Sequence, residues 1–140
     1  MQLTKNFDLA EMVESPTARR LKIKQQFEPD ILVRENLLEL CRHVLQPLRD
    51  YIGPVNVSSG YRCPELNKAV GGAKNSQHLF GQAADIKGVG KITNKMLYEA
   101  IIELNLPFDQ ILWEYGTDLN PSWVHVSYGP RHRRQQIRIK

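Results

Sequence analysis

A chain of 140 residues with 41% hydrophobic and 24% charged content is an ordinary globule, long enough to bury a core without disulfide or structural-metal staples. No apolar run approaches the roughly 20 residues that cross a bilayer, and two cysteines, Cys41 and Cys63, are too few for a disulfide scaffold or a cysteine-based zinc site, so both are expected to be reduced. The net charge of +4 sits at the end of the chain, where Arg131, Arg133, Arg134, Arg138 and Lys140 supply five of the nineteen basic residues and leave fourteen against fifteen acidic ones in the body.

The N-terminus, Met1 to Asp8, lacks the apolar core of a secretory signal. The protein is therefore expected to be made in the cytoplasm and to reach any extracellular target by another route. Residues 1–35 read as short helical pieces rather than a separate domain. Asp8 is expected to cap a turn through Leu9, Met12 and Val13, and Thr17 another after Ser15-Pro16. Glu28-Pro29 breaks the pattern. From about Asn36 to Tyr51, apolar residues at Leu37, Leu38, Cys41, Val44, Leu45 and Leu48 recur at threes and fours and predict an amphipathic helix. Pro47 should kink its last turn, since it has no amide to donate and its ring meets the carbonyl four residues back. Gly53-Pro54 ends it.

Val55 to Ser59 alternates with period two and predicts a strand leading into Gly60-Tyr61-Arg62. A short helix over Glu65 to Ala69, the Gly71-Gly72 turn and a polar loop follow. Ala83 to Ile86 is the second strand. Thr93 caps a helix carrying Met96, Leu97, Ala100, Ile101 and Leu104, which Pro107 ends. Phe108 to Trp113 and Trp123 to Tyr128 are the third and fourth strands, joined by a connection that is long for a hairpin. Residues 131–140 are a basic tail or edge strand. Such a tail suits nucleic acid, an anionic membrane or an acidic wall polymer. The alternation in Gln135 to Ile139 and the lack of interleaved aromatics favour an edge strand with solvated arginines, so nucleic acid is not the expected partner.

Parity along these strands puts Val124, Val126 and Tyr128 on one face and Trp123, His125 and Ser127 on the other. In Ala83 to Ile86, Ala84 and Ile86 point towards the helices, and Asp85 shares the opposite side with Ala83. The expected fold is a single α+β domain over residues 1–140: an antiparallel sheet of about four strands, helices on one face, and a groove presenting Asp85 and His125 on the other.

Chemistry concentrates in Ser76-Gln-His-Leu-Phe-Gly-Gln-Ala-Ala-Asp-Ile86. A carboxylate inside an apolar strand is costly to bury unless it is paired or bound to a cation. A turn at Gly81 would bring His78 back to Asp85. With His125 the two form a set of two imidazoles and one carboxylate, suited to a catalytic zinc with an open position. Such a metal lowers the pKa of a water to about 7 and polarises a carbonyl, which suits amide hydrolysis. A base is also required, and Glu114 ends the third strand, where antiparallel pairing can carry it towards His125. Tyr61 and Trp123 are candidates to wall the groove. His43 and His132 do not fit the constellation.

The elements Ser58-Ser59-Gly60-Tyr61-Arg62, Asn67, Gly71-Gly72, Ser76-x-His78-x-x-Gly81-x-Ala83-x-Asp85 and Trp123-Val124-His125-Val126-Ser127 resemble the zinc D-Ala-D-Ala carboxypeptidase-like peptidases of the M15 family. The resemblance runs from about Phe7 to Tyr128. Leu45-Gln46-Pro47-Leu48-Arg49 is similar to the small phage and prophage subgroup, and the metal scaffold is similar to that of hedgehog signalling domains. The resemblance implies that His78, Asp85 and His125 bind one zinc ion. It implies that Arg62 holds a substrate carboxylate or steadies an oxyanion, and that Ser76 helps to bind the substrate terminus. Many members place the catalytic Glu three residues before the last His, a position held here by Ser122. Hedgehog-like members end the preceding strand with it, which points to Glu114, with Asp118 as a competing base.

The expected function is hydrolysis of an amide in a peptidoglycan stem peptide or crossbridge, as a carboxypeptidase or an endolysin-type endopeptidase. The expected enzyme is a monomer, released at phage lysis or carried in a virion. The alternative is a non-catalytic, zinc-stabilised binding or virion module.

Overall fold

In the computed structural model, which describes residues 1–140, two short strands, β1 (Gln2–Thr4) and β2 (Phe7–Asp8), pair antiparallel ahead of the first helix. Elements of two or three residues are too short for alternation to register, so this part of the expected helical stretch reads wrongly from sequence. Asp8 caps α1 (Leu9–Val13) by accepting from the Glu11 amide, as expected. Ser15, rather than Thr17, caps α2 (Pro16–Leu21): its hydroxyl accepts from the Ala18 amide, and Pro16 takes the first helical position, where a missing N–H costs nothing.

The long helix begins earlier than its apolar pattern implies. Asp30 caps α3 (Ile31–Leu40), whose first turn carries the exposed Ile31 and Leu32 that blur the periodicity. A turn of π-helix, Cys41–Leu45, runs directly into α4 (Gln46–Ile52). Pro47 explains the widened turn. In a regular α-helix its ring would crowd the His43 carbonyl; here the backbone expands, and the Gln46 amide reaches back to the Cys41 carbonyl. Leu37, Leu40, Cys41, Val44, Leu45 and Leu48 are all fully buried.

Strands β3 (Val55–Ser59), β4 (Ala83–Gly88), β5 (Gln110–Glu114), β6 (Trp123–Ser127) and β7 (Gln135–Ile139) form one sheet in the order β3-β4-β6-β5-β7. Four of them are antiparallel neighbours. The fifth, β7, lies parallel to β5 at the edge. The tail is thus an edge strand, and the expected sheet of about four strands gains one. Parallel pairing needs a return of the chain, supplied by the turn over 128–134.

Helix α5 (Pro64–Ala69) and α6 (Asn94–Glu103) complete the fold, the latter capped by Thr93 as expected. Ala84, Ile86, Ile111, Val124 and Val126 turn one sheet face to the helices and join a cluster that also holds Leu3, Phe7 and Met12. The core therefore runs unbroken from the first strands to β6. Both cysteines are buried and unpaired. No helix is long and apolar enough to cross a membrane.

Candidate metal centre

The opposite sheet face carries the polar residues. Asp85 and His125 are directly opposed in the β4/β6 ladder, and Leu112 opposes His125 from β5. His78 arrives from a 3-10 turn, Gln77–Phe80, in what reads from sequence as a plain polar loop. Ser76 caps this turn by accepting from the His78 amide, and Gly81 closes it at φ +73°, where a Cβ would meet the Val33 carbonyl at 2.7 Å. Cap and turn together bring His78 back onto β4.

One donor atom from each of His78, Asp85 and His125 lies within 4.8 Å of the others. His78 Nε2 is 3.3 Å and His125 Nδ1 3.1 Å from the same oxygen, Asp85 Oδ1. His78 is 2% exposed, and its Nδ1 lies 2.6 Å from the Gly60 carbonyl. A carbonyl only accepts, so Nδ1 carries the proton, and a neutral ring then presents the Nε2 lone pair to a carboxylate oxygen. Two acceptors facing each other repel. A cation among them removes the conflict, and the backbone carbonyl on the far nitrogen is the usual way a ligating histidine is oriented. The donor set therefore fits a divalent metal of zinc type.

The Gly60 carbonyl is itself held in place. The Tyr61 amide donates to Met12 O at 2.9 Å, and a Cβ on Gly60 would stand 2.3 Å from that same oxygen. Only glycine allows this approach. Tyr61 is a core residue, not a wall of the groove: it is buried in the hydrophobic cluster and does not line the cleft.

Protonated imidazoles, which supply the positive charge an ion would otherwise bring, hold Asp85 well below the usual carboxylate range: burial opposes this, and hydrogen bonds and charge from His125 and His78 outweigh it. Arg62 adds a third partner, with Nη2 3.2 Å from Asp85 Oδ2 while Nε donates to Ser59 Oγ and Nη1 to Asn67 Oδ1. Arg62 and Asp85 thus form a salt bridge, and the same guanidinium borders the cleft.

That cleft has a volume of about 540 Å³, and Ser76, Glu114 and Trp123 line it beside the three candidate ligands. Glu114 opposes Trp123 across β5 and β6, and Trp123 Nε1 donates to Glu114 Oε2. Burial, followed by the charge of Asp85, raises the Glu114 pKa. Asp118 is 86% exposed on its side chain and pairs with Arg138 on the other side of β5, outside the cleft. Between the two candidate bases, only Glu114 borders the site.

Two contributions to the site leave no mark in the sequence. The Gly60 carbonyl carries no side-chain signal. The second is the return of Arg131 and Arg133 from the tail to the cleft, which depends on a buried partner, Asp109, far away in sequence. His43 stacks on Tyr128 at 4.8 Å and stays outside the centre, as expected.

A sequence model of the family described as Peptidase M15 matches residues 5–127. Over 44 residues, 30% of this chain, the sequence is 46% identical to a zinc D-Ala-D-Ala carboxypeptidase of Streptomyces albus G. The aligned stretch spans 17% of that protein's length.

Proposed function

The chain belongs to the peptidase M15 family, and on that premise we propose that residues 1–140 act as one zinc peptidase domain that hydrolyses an amide in peptidoglycan stem peptides or crossbridges. The observation that carries this reading is the convergence of His78, Asp85 and His125 beside a half-buried glutamate in a cleft wide enough for a peptide. The D-Ala-D-Ala substrate of the Streptomyces enzyme supports the choice of polymer.

His78, Asp85 and His125 would hold the ion. When bound, zinc supplies a Lewis acid that polarises the scissile carbonyl and makes a water nucleophilic near neutral pH. Glu114 acts as the base: with Oε2 tied to Trp123, Oε1 takes a proton from the attacking water. The water oxygen bonds to the carbonyl carbon, the C–N bond breaks, and Glu114 passes its proton to the leaving amine. A raised pKa suits a residue that must both take and give a proton. Arg62 keeps Asp85 oriented and adds positive charge near the developing oxyanion. Ser76 retains a hydroxyl proton to offer a peptide oxygen, and Trp123 forms part of the wall. All these groups come from one chain, so a monomer suffices.

The test is incubation of purified muropeptides with the zinc-loaded protein and with Glu114→Gln, followed by fragment masses. Cleavage by the parent alone is expected, and the masses identify the bond. Zinc bound at one equivalent with no fragment released would instead mean a binding module.

A further inference from the structure

The family match ends at residue 127, yet the cleft continues past it. Arg131 and Arg133 both line its outer end. Their arrival there depends on Asp109, which is fully buried just before β5. Its carboxylate accepts from the Arg133 amide at 2.9 Å, from Arg133 Nε and Nη2 at 2.9 Å each, and from Gln77 Nε2 at 3.0 Å. Gln77 directly precedes His78, so one buried carboxylate ties the returning chain to the turn that carries the histidine.

The turn itself is conformationally costly. His132 and Arg134 adopt φ +44° and +54°, a region that non-glycine residues seldom occupy. Arg134 helps to offset this by donating to the Leu106 carbonyl and to Asn105 Oδ1 and by stacking over Phe108 at 4.7 Å. These anchors hold the backbone that directly follows Arg131.

The two arginines differ in charge balance. Arg133 forms a forked pair with Asp109 and is neutralised. Arg131 reaches the same Asp109 only at 3.7 Å and remains 59% exposed, leaving one positive charge in excess at this end of the cleft. The third guanidinium, Arg62, is engaged by Ser59, Asn67 and Asp85.

We propose that Arg131, presented by the Asp109-anchored return of the chain, is a specificity-determining residue that binds a free carboxylate of the peptide substrate. The proposal rests on the peptidase reading for its substrate class. An arginine is suited to the task because its planar fork matches a carboxylate with two parallel hydrogen bonds. A stem peptide offers two such groups, the α-carboxylate of a γ-linked D-Glu and the C-terminal carboxylate. Both belong to the same chemical class.

Three peptides distinguish them: L-Ala-γ-D-Glu-L-Lys-D-Ala-D-Ala, its D-Glu α-carboxamide and its C-terminal carboxamide. Each is titrated by calorimetry into zinc-loaded Glu114→Gln protein, with and without Arg131→Gln or Arg131→Lys, and kcat/KM is measured on the Glu114 forms. One of the two amides is expected to bind about tenfold more weakly than the acid, the order expected when an exposed site gives up one charge-assisted hydrogen bond. Arg131→Gln should bring that ratio to about one, Arg131→Lys should restore part of it, and zinc content should stay at one equivalent. A ratio that persists in Arg131→Gln, or is absent from the start, overturns the proposal. If the parent cleaves nothing, the peptidase reading fails, while the binding ratios still decide the role of Arg131.

Discussion

Asp85 and His125 face each other across β4 and β6, with Asp85 Oδ1 3.1 Å from His125 Nδ1. The pairing register sets this relationship, because a slip of one residue would turn one of the two side chains into the helix-packed face. His78 then needs only a short turn to complete the set. Replacing His78, Asp85 or His125 by Ala should reduce zinc from about one equivalent to near zero by elemental analysis. Chelation of the parent should lower its melting temperature, since a ligand that binds only the folded state stabilises it.

Glu114 and Asp118 should separate cleanly. Glu114→Gln is expected to lower peptide hydrolysis by about 10² to 10⁴ with zinc retained, the usual range for a lost general base. Asp118→Asn removes only a surface ion pair with Arg138 and should change hydrolysis by less than about twofold. Equal loss in both variants would remove Glu114 from its assigned role.

Gly60 tests the orientation of His78. Gly60→Ala places a methyl group 2.3 Å from the Met12 carbonyl, so the loop must move and carry its own carbonyl away from His78 Nδ1. Zinc affinity measured by competition with a chromogenic chelator should fall about 10- to 100-fold, the range for losing an orienting partner of a ligand. Unchanged affinity would show that the ring is held by other contacts.

Asp109 links stability to pH. Hydrogen bonds from Arg133 hold its pKa down at about 2, against 3.8 for a free side chain. Because the folded value is depressed, the contribution is fully present above about pH 4 and is lost as the pH falls towards 2. Asp109→Asn should flatten urea stability across that window by roughly 1 kcal/mol, less than the full shift implies because the arginines reach solvent. It should also loosen the return of the chain, seen as faster proteolysis near residues 129–135.

Cys41 and Cys63 should resist alkylation until the protein unfolds. Burial pushes the Cys41 thiol up to about 12 and leaves no reactive thiolate at neutral pH, and Cys63 is 1% exposed. Mass spectrometry after iodoacetamide treatment should find both free in native protein and both modified in guanidinium. Rapid native labelling of either would contradict the packing.

Much of this molecule is legible one residue at a time. Alternation in β4 and β6 assigns Asp85 and His125 to one face, and the Ser-x-His-x-x-Gly-x-Ala-x-Asp spacing marks the turn that returns His78, because strand parity and glycine geometry are local properties of the chain. Caps at Asp8 and Thr93 follow from the same local chemistry. The strand pair at the N-terminus, the π-turn before Pro47 and the Ser15 cap depend on only a few residues, too few for a period to show.

Tertiary structure alone decided the rest. That Glu114 borders the cleft while Asp118 does not depends on how β5 and the connection after it pack, and the proton position on His78 turns on a backbone carbonyl eighteen residues earlier. The same holds for the tail, whose charge reads as a solvated run until the buried Asp109 carboxylate pairs closely with Arg133 and only loosely, at 3.7 Å, with Arg131. Such contacts join distant segments through single hydrogen bonds, which leave no periodic trace in composition or spacing.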